Sequence, residues 1–330
     1  SKLVKDNLRK IGGLQVDVPL TIKSDLPYGY RNKLQLPIGV DKEGNTVIGF
    51  YAERSHRIIP INSCAIHPAW AEKLIAIVKC YMQECGVRGY DEVNKTGLLR
   101  HLVAREIGGN YIITLVSVKR AVPALSRLVE YLKRSFPCFS LYVNVNDSNT
   151  NVIFGKEFHL IHGMGFFENT EHGIRYEAGP VTFLQVNENV RGKLYKDALK
   201  TVCEEGDEVV IDAYSGGGLL TAMLAKKAKR VYGIELEEEA SQCADRLKEK
   251  NSLENMTNIC GYVEEHLSKV MEKEKGEKLR LILDPPRAGS SEKFLRSLIK
   301  MSPERVVYVS CSPETLARDL HFLTDNSNYK

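Results

Sequence analysis

Residues 209–221 read Val209-Val210-Ile211-Asp212-Ala213-Tyr214-Ser215-Gly216-Gly217-Gly218-Leu219-Leu220-Thr221, and residues 230–235 read Arg230-Val231-Tyr232-Gly233-Ile234-Glu235. An apolar run, a glycine-rich turn, a helical stretch and a second apolar run ending in an acid make one strand–turn–helix–strand unit. Glycines let the chain turn tightly and let a ligand approach the backbone. The same rhythm fills the C-terminal half. Strands are expected at Glu208–Asp212, Arg230–Glu235, Thr257–Tyr262, Leu279–Leu283 and Arg305–Ser310. Between and after them come helices at Leu219–Lys227, Glu237–Lys250, Glu264–Lys273, Glu292–Met301 and Pro313–Leu320, with Glu188–Cys203 ahead of the first strand. That alternation implies βαβ crossovers and a doubly wound, mostly parallel sheet, an α/β Rossmann-like domain over residues 179–330. Ligands of such sheets bind outside the carboxyl ends of the strands, where the first three motifs below lie.

Residues 1–178 follow another pattern. An amphipathic helix over 1–11 ends at Gly12-Gly13 and is expected to pack on the C-terminal domain. Tyr30–Ile38 and Thr46–Tyr51 read as a hairpin, and Pro68 opens a helix to about Cys85. Leu98–Arg105 and Tyr111–Val118 flank Gly108-Gly109-Asn110 as a second hairpin; a helix near 122–134 and strands near 140–146 and 151–154 complete a smaller α+β domain.

The whole chain of 330 residues has a net charge of +4, but the charge is unevenly placed. Residues 1–178 hold 23 Lys+Arg against 17 Asp+Glu, and the remainder 23 against 25. The first half is therefore the candidate surface for a polyanion partner. The eight cysteines form no C-x-x-C pair and are scattered, which excludes a disulfide scaffold and fits a reducing, cytoplasmic setting. No apolar run approaches the ~18–20 residues of a membrane helix.

Four motifs carry chemistry. The turn Asp212–Gly218 is neither a dinucleotide fingerprint nor a phosphate loop, while Glu235, about twenty residues on, can accept both hydroxyls of a ribose. Together they favour S-adenosylmethionine over a pyrophosphate cofactor. Asp284-Pro285-Pro286-Arg287-Ala288-Gly289 follows an apolar strand, and the two prolines impose a rigid extended exit that fixes Asp284 at the sheet edge. Ser310-Cys311-Ser312-Pro313 places Cys311 between a strand and a helix N-terminus, a setting that favours thiolate and hence a nucleophile. Thr182-Phe183-Leu184-Gln185-Val186-Asn187 alternates polar and apolar residues ahead of a helix; by itself it also reads as an edge strand with an Asn cap.

In this order the four motifs resemble the RNA uracil-5-methyltransferase family, which makes 5-methyluridine in tRNA and ribosomal RNA. The resemblance covers residues 179–330 and reaches upstream through Tyr30-Arg31-Asn32-Lys33 and Gly97–Leu102. It implies that Gln185, Tyr214, Gly216, Leu219, Glu235 and Asp284 line the methyl-donor and uracil pocket, with Cys311 the nucleophile. Phe183 is a candidate stacking surface, and Arg287 a candidate for offsetting charge on the uracil oxygen. Ser215 and Ser312 stand where many members have Cys and Asn. Cys64 matches one ligand of the family's four-iron cluster; the cluster itself would need a longer chain, as would the family's general base, for only 19 residues follow Cys311 and none match that segment. The expected molecule is a fragment, slow or inactive in turnover, monomeric and acting on tRNA or 23S ribosomal RNA. An RNA cytosine-5-methyltransferase and a catalytically incomplete RNA-binding fragment remain the alternatives, although Arg287 stands where the former has Cys after its Asp-Pro.

Overall fold

In a computed structural model that describes residues 1–329, the apolar runs become strands of two large sheets. Helix α1 (Lys2–Lys10) comes first. Strands β1 (Lys33–Val40), β2 (Thr46–Tyr51) and β3 (Ile58–Pro60), helix α2 (Ala69–Glu84), strands β4 (Leu99–Ile107) and β5 (Asn110–Ser117), helix α3 (Leu125–Lys133), and strands β6 (Phe139–Val145) and β7 (Glu157–His162) follow. The hairpin β8 (Phe167–Glu171) and β9 (Ile174–Ala178) and helix α4 (Glu188–Val202) lead into β10 (Val209–Ala213) and α5 (Leu219–Ala225). Then come β11 (Arg230–Glu235), α6 (Glu238–Lys250), β12 (Met256–Cys260), α7 (Val263–Lys273), β13 (Leu279–Leu283), α8 (Glu292–Met301), β14 (Arg305–Tyr308) and α9 (Pro313–Asp325).

Contacts divide the chain into two units, neither of them one continuous stretch. One takes Ser24–Asn169 and Glu177–Asn189; the other takes Ser1–Lys23, Thr170–Tyr176 and the chain from Val190 on.

The first of these holds the seven-stranded sheet, in the order β3-β2-β1-β4-β5-β6-β7. All its pairs are antiparallel except β5–β6, whose crossover contains α3. Alternation along β1 sends Leu34, Leu36 and Ile38 into a core closed by Leu74, Val78 and Tyr81 of α2 and Leu128 and Leu132 of α3. The strand expected near 151–154 does not form. Asn146 Nδ2 donates to the carbonyls of Val152 (2.7 Å) and Ile153 (2.9 Å), and Asn144 bonds both ways with Gly155, so side-chain amides satisfy this backbone in place of a ladder. The ladder partner of β6 is β7 instead. The strands β3, β7, β8 and β9 had no expectation.

The other unit holds five parallel strands in the order β12-β11-β10-β13-β14. This is the doubly wound order expected for residues 179–330, and it reverses direction between β10 and β13. Val209, Ile211, Leu281 and Leu283 are fully buried in its core, under Leu267 of α7 and Phe294 and Leu298 of α8. Burial of each such side chain is worth ~1.5–3 kcal/mol. Helix α1 packs on α9, where Gly12 comes so close that an added Cβ would stand 3.1 Å from the Ala317 carbonyl oxygen. The edge strand β14, expected to be buried, is half-buried throughout, because it has one strand neighbour. Among the described residues no helix is long and apolar enough to cross a membrane.

Candidate active site

The carboxyl ends of neighbouring strands carry the expected residues: Tyr214, Gly216 and Leu219 follow β10, Glu235 ends β11, Asp284 and Arg287 follow β13, and Cys311 follows β14. Tyr214 and Gly216 both take positive φ (64° and 55°), folding the chain back over the end of β10. The backbone N–H of Gly216 donates to Glu235 Oε2 (2.8 Å) and that of Glu237 to Oε1 (2.9 Å), so the carboxylate is fixed by two backbone donors. Each oxygen keeps a lone pair for a further donor, such as a ribose hydroxyl. A Cβ added at Gly216 or Gly217 would meet nothing within 4 Å, whereas one at Gly218 would lie 2.6 Å from the Ala244 Cβ. The first two glycines therefore leave open space for a ligand, and the third lets α5 pack on α6. Leu219 is buried at the start of α5, so it offers a ligand a first-turn N–H rather than a side chain.

Three carboxylates gather at this edge. Asp212 is buried, and its pKa is pushed up to about 7, by burial first; the 2.6 Å hydrogen bond from Thr221 Oγ1 opposes the rise, and the charges of Asp284 and Glu235 add to it. Burial also raises the pKa of Asp284. Tyr214, its ring 5.9 Å from that of Phe294, is pushed up to about 12, again chiefly by burial. An edge with this field attracts a cationic ligand and repels a pyrophosphate.

Asp284 lies one residue beyond β13 and its N–H reaches the Ala213 carbonyl at 3.4 Å; the cap of α8 is Ser291, so Asp284 caps no helix. Cys311 lies three residues beyond β14, the strand paired with β13, and is exposed. Ser312 caps α9 by accepting from the Thr315 N–H at 3.4 Å. Arg287 is exposed.

What the sequence reading missed is the fastening between these two loops. Asp319 is fully buried and accepts from the Ser290 N–H (2.7 Å) and the Tyr308 hydroxyl (2.6 Å). Arg318 donates to Asp319 through Nε (2.8 Å) and to the Ala288 carbonyl through Nη2 (2.9 Å), while the Thr315 hydroxyl donates to the Arg287 carbonyl at 3.2 Å. The helix behind Cys311 thus holds the Asp-Pro-Pro loop in place. The signal was an acid, Asp319, on the face of α9 that also buries Leu323.

Gln185 and Phe183 lie in Glu177–Asn189 and belong to the other unit. Gln185 is half-buried and Phe183 is 72% exposed, so Phe183 is a surface ring and not part of a core. Cys64 is a half-buried free thiol, and among the described residues no group of three His, Cys, Asp or Glu side chains could hold a metal. The described residues do not fit an iron–sulfur cluster.

A doubly wound sheet with an acid-fixed glycine turn and an open switch point defines a Rossmann-like, S-adenosylmethionine-dependent methyltransferase domain. The family described as tRNA (Uracil-5-)-methyltransferase matches residues 107–329. An uncharacterized RNA methyltransferase of Clostridium tetani is 39% identical over 326 residues, covering 98% of this chain and 70% of that protein. One from Halalkalibacterium halodurans is 40% identical over 331 residues, covering 98% and 71%. The crystal structure of Pyrococcus abyssi tRNA (uracil-54, C5)-methyltransferase in complex with S-adenosyl-L-homocysteine superimposes with a TM-score of 0.76 at 27% identity, covering 98% of this chain and 74% of that one. The chain belongs to the tRNA (uracil-5-)-methyltransferase family: it is an RNA methyltransferase.

Proposed function

We propose that this enzyme methylates C5 of a uridine in RNA through a covalent adduct at Cys311, with tRNA rather than ribosomal RNA as substrate. The family's description and the Pyrococcus abyssi enzyme both favour tRNA. The observation that carries the reading is an exposed cysteine and a half-buried aspartate on neighbouring loops at the switch point, tied together by Thr315, Arg318 and Asp319.

S-adenosylmethionine, when bound, supplies a methyl group activated by the sulfonium. Glu235 accepts its ribose hydroxyls, the open face of Gly216-Gly217 admits it, and the carboxylates favour its positive charge. The Cys311 thiolate adds to uracil C6, and the electron pair of the C5–C6 bond moves to the O4 enolate. Asp284 hydrogen-bonds the uracil edge and Arg287 offsets the enolate charge. C5 takes the methyl, its proton passes to a base, and re-formation of the double bond expels Cys311. The target uridine must leave its stack to be reached. Gln185 and Phe183 are assigned to the donor pocket and to base stacking by the resemblance. Residues 1–178, with their excess of six positive charges, supply RNA contact; residues 179–330 supply the chemistry.

A tRNA transcript carrying 5-fluorouridine tests this, because fluorine cannot leave as a proton. A shifted band on a denaturing gel is expected that requires S-adenosylmethionine for its methylated form, disappears in Cys311→Ala and survives Cys260→Ala. A band that persists in Cys311→Ala overturns the assignment.

A further inference from the structure

The unit that holds the seven-stranded sheet has a half-open cavity of about 530 Å³, within the ~300–1,000 Å³ of ligand sites. Its wall comes from the end of β2 (Tyr51), the loop after it (His56), the start of β4 (Arg100, His101), Glu92, and the loop Asn149–Ile153. That loop is pinned, since Asn146 donates to the carbonyls of Val152 and Ile153 and Arg100 Nη1 donates to those of Asn146 (3.1 Å) and Ser148 (2.6 Å). The cavity is therefore preformed.

Charge and hydrogen bonding say what it fits. Arg100 is matched by Glu92 at 3.2 Å, and the other Glu92 oxygen lies 3.4 Å from His56 Nδ1, so the buried cation of the wall is already compensated; the cation at the rim is Lys95, whose Nζ donates to Asn149 Oδ1 at 3.2 Å. Burial first, and Arg100 second, push the His101 pKa down to about 4, leaving a neutral imidazole. Arg100 and His101 are 6% and 8% exposed, yet Arg100 Nε and His101 Nδ1 have no hydrogen-bond partner. Such orphaned polar atoms are costly in a protein interior. The rings of Tyr51 and His56 stand edge to face, 5.6 Å apart, at the mouth, and the side chains of Asn149 and Asn151 are exposed beside them. A charge-balanced wall, aromatic faces and amide groups are what hold an unstacked base.

We infer that this cavity is a second base pocket, which takes a nucleobase of the RNA other than the methylated uridine. The inference rests on the reading of the chain as an enzyme acting on RNA. Extruding one base unstacks its neighbours, and a pocket that receives another base offsets that cost.

The test uses the full chain and a tRNA transcript, with Tyr51→Ala/His56→Ala, whose side chains lie at the mouth, and separately Asn151→Ala. The double variant should bind the transcript about five- to a hundredfold more weakly. At saturating RNA it should still form the Cys311 adduct with the 5-fluorouridine transcript. A transcript containing 4-thiouridine should photocross-link to the parent at Tyr51 or His56, and free nucleosides should compete. RNA affinity within twofold of the parent in both variants, with the adduct intact, overturns the pocket while leaving the enzyme reading in place. Competition by millimolar inorganic phosphate but not by nucleosides shows a backbone site and overturns it too. A parent that neither binds the transcript nor forms the adduct removes the enzyme reading, and the pocket with it.

Discussion

At the amino edge of the five-stranded sheet Glu208 is fully buried, and at the carboxyl edge Asp212 is buried almost as deeply, at 0% and 3% exposed. Burial raises the pKa of both, yet the first is held down at about 2 and the second pushed up to about 7. The difference lies in the donors. Glu208 accepts backbone N–H groups from Glu204 (2.8 Å), Glu205 (2.9 Å) and Gly206 (2.8 Å), with Arg280 Nη1 at 3.4 Å. Asp212 has the Thr221 hydroxyl, and its charged neighbours are acids. One edge spends its polar groups on holding the fold together; the other leaves them in conflict, as groups kept ready for a ligand are. Substitutions at the two edges should therefore separate activity from stability.

The largest effect is expected at Asp284. Asp284→Ala should lower single-turnover methylation by ~10²–10³-fold, the usual cost of one preorganised polar contact to the reacting group. The melting temperature should not fall, because burial already disfavours its charge. A variant that melts early but methylates at the parent rate would erase the contrast between the edges.

Glu208→Gln should do the reverse: a loss of about 3 kcal/mol of stability with the rate constant kept below the melting temperature. The sign follows from the depressed pKa. The parent's advantage is fully present above the unfolded carboxylate value of ~4.3 and disappears as pH falls through about 2. Urea unfolding at pH 7 and at pH 2 should show a gap that closes at the lower pH.

How much of this was legible depended on distance along the chain. The turn Gly216-Gly217-Gly218, its acid Glu235 and the rigid exit of Asp284 are local patterns, and the parallel sheet follows from their spacing. The Asp319 clamp was not legible, because its donors come from Ser290, Tyr308 and Arg318 on three different segments. The misplaced strand near 151–154 has a related cause: the bonds that replace its ladder come from Asn144 and Asn146, whose amides look like ordinary strand residues. The raised pKa of Asp212 depends on three strand ends meeting, which no window of sequence contains.

A smaller effect is expected from Asp212→Asn. The amide oxygen can still accept from Thr221, and the buried charge is gone. An acid with a raised folded pKa costs stability as pH climbs from its unfolded value of ~3.9 through about 7. The variant should gain on the order of 1–3 kcal/mol over the parent at pH 8 and nothing below pH 4. A melting-temperature difference that does not change between pH 4 and pH 8 would mean that Asp212 stays ionised throughout, and that the carboxyl edge is as well satisfied as the amino edge.

The smallest change to the protein is the sharpest probe of the open face. Gly217 has no positive φ, and a Cβ there meets nothing within 4 Å. Gly217→Ala therefore fits the fold without strain and, by restricting the unfolded chain, should stabilise it by ~0.4–1 kcal/mol. On the proposed reading, the added methyl stands where the cofactor approaches the backbone. Calorimetric affinity for S-adenosylmethionine should fall while the melting temperature holds or rises slightly. Gly218→Ala is the control in the opposite sense: its Cβ would lie 2.6 Å from that of Ala244, so the damage should appear first as lost stability. If Gly217→Ala binds the cofactor as tightly as the parent, the open space above the turn is not the cofactor's, and Glu235 must be holding it from another side.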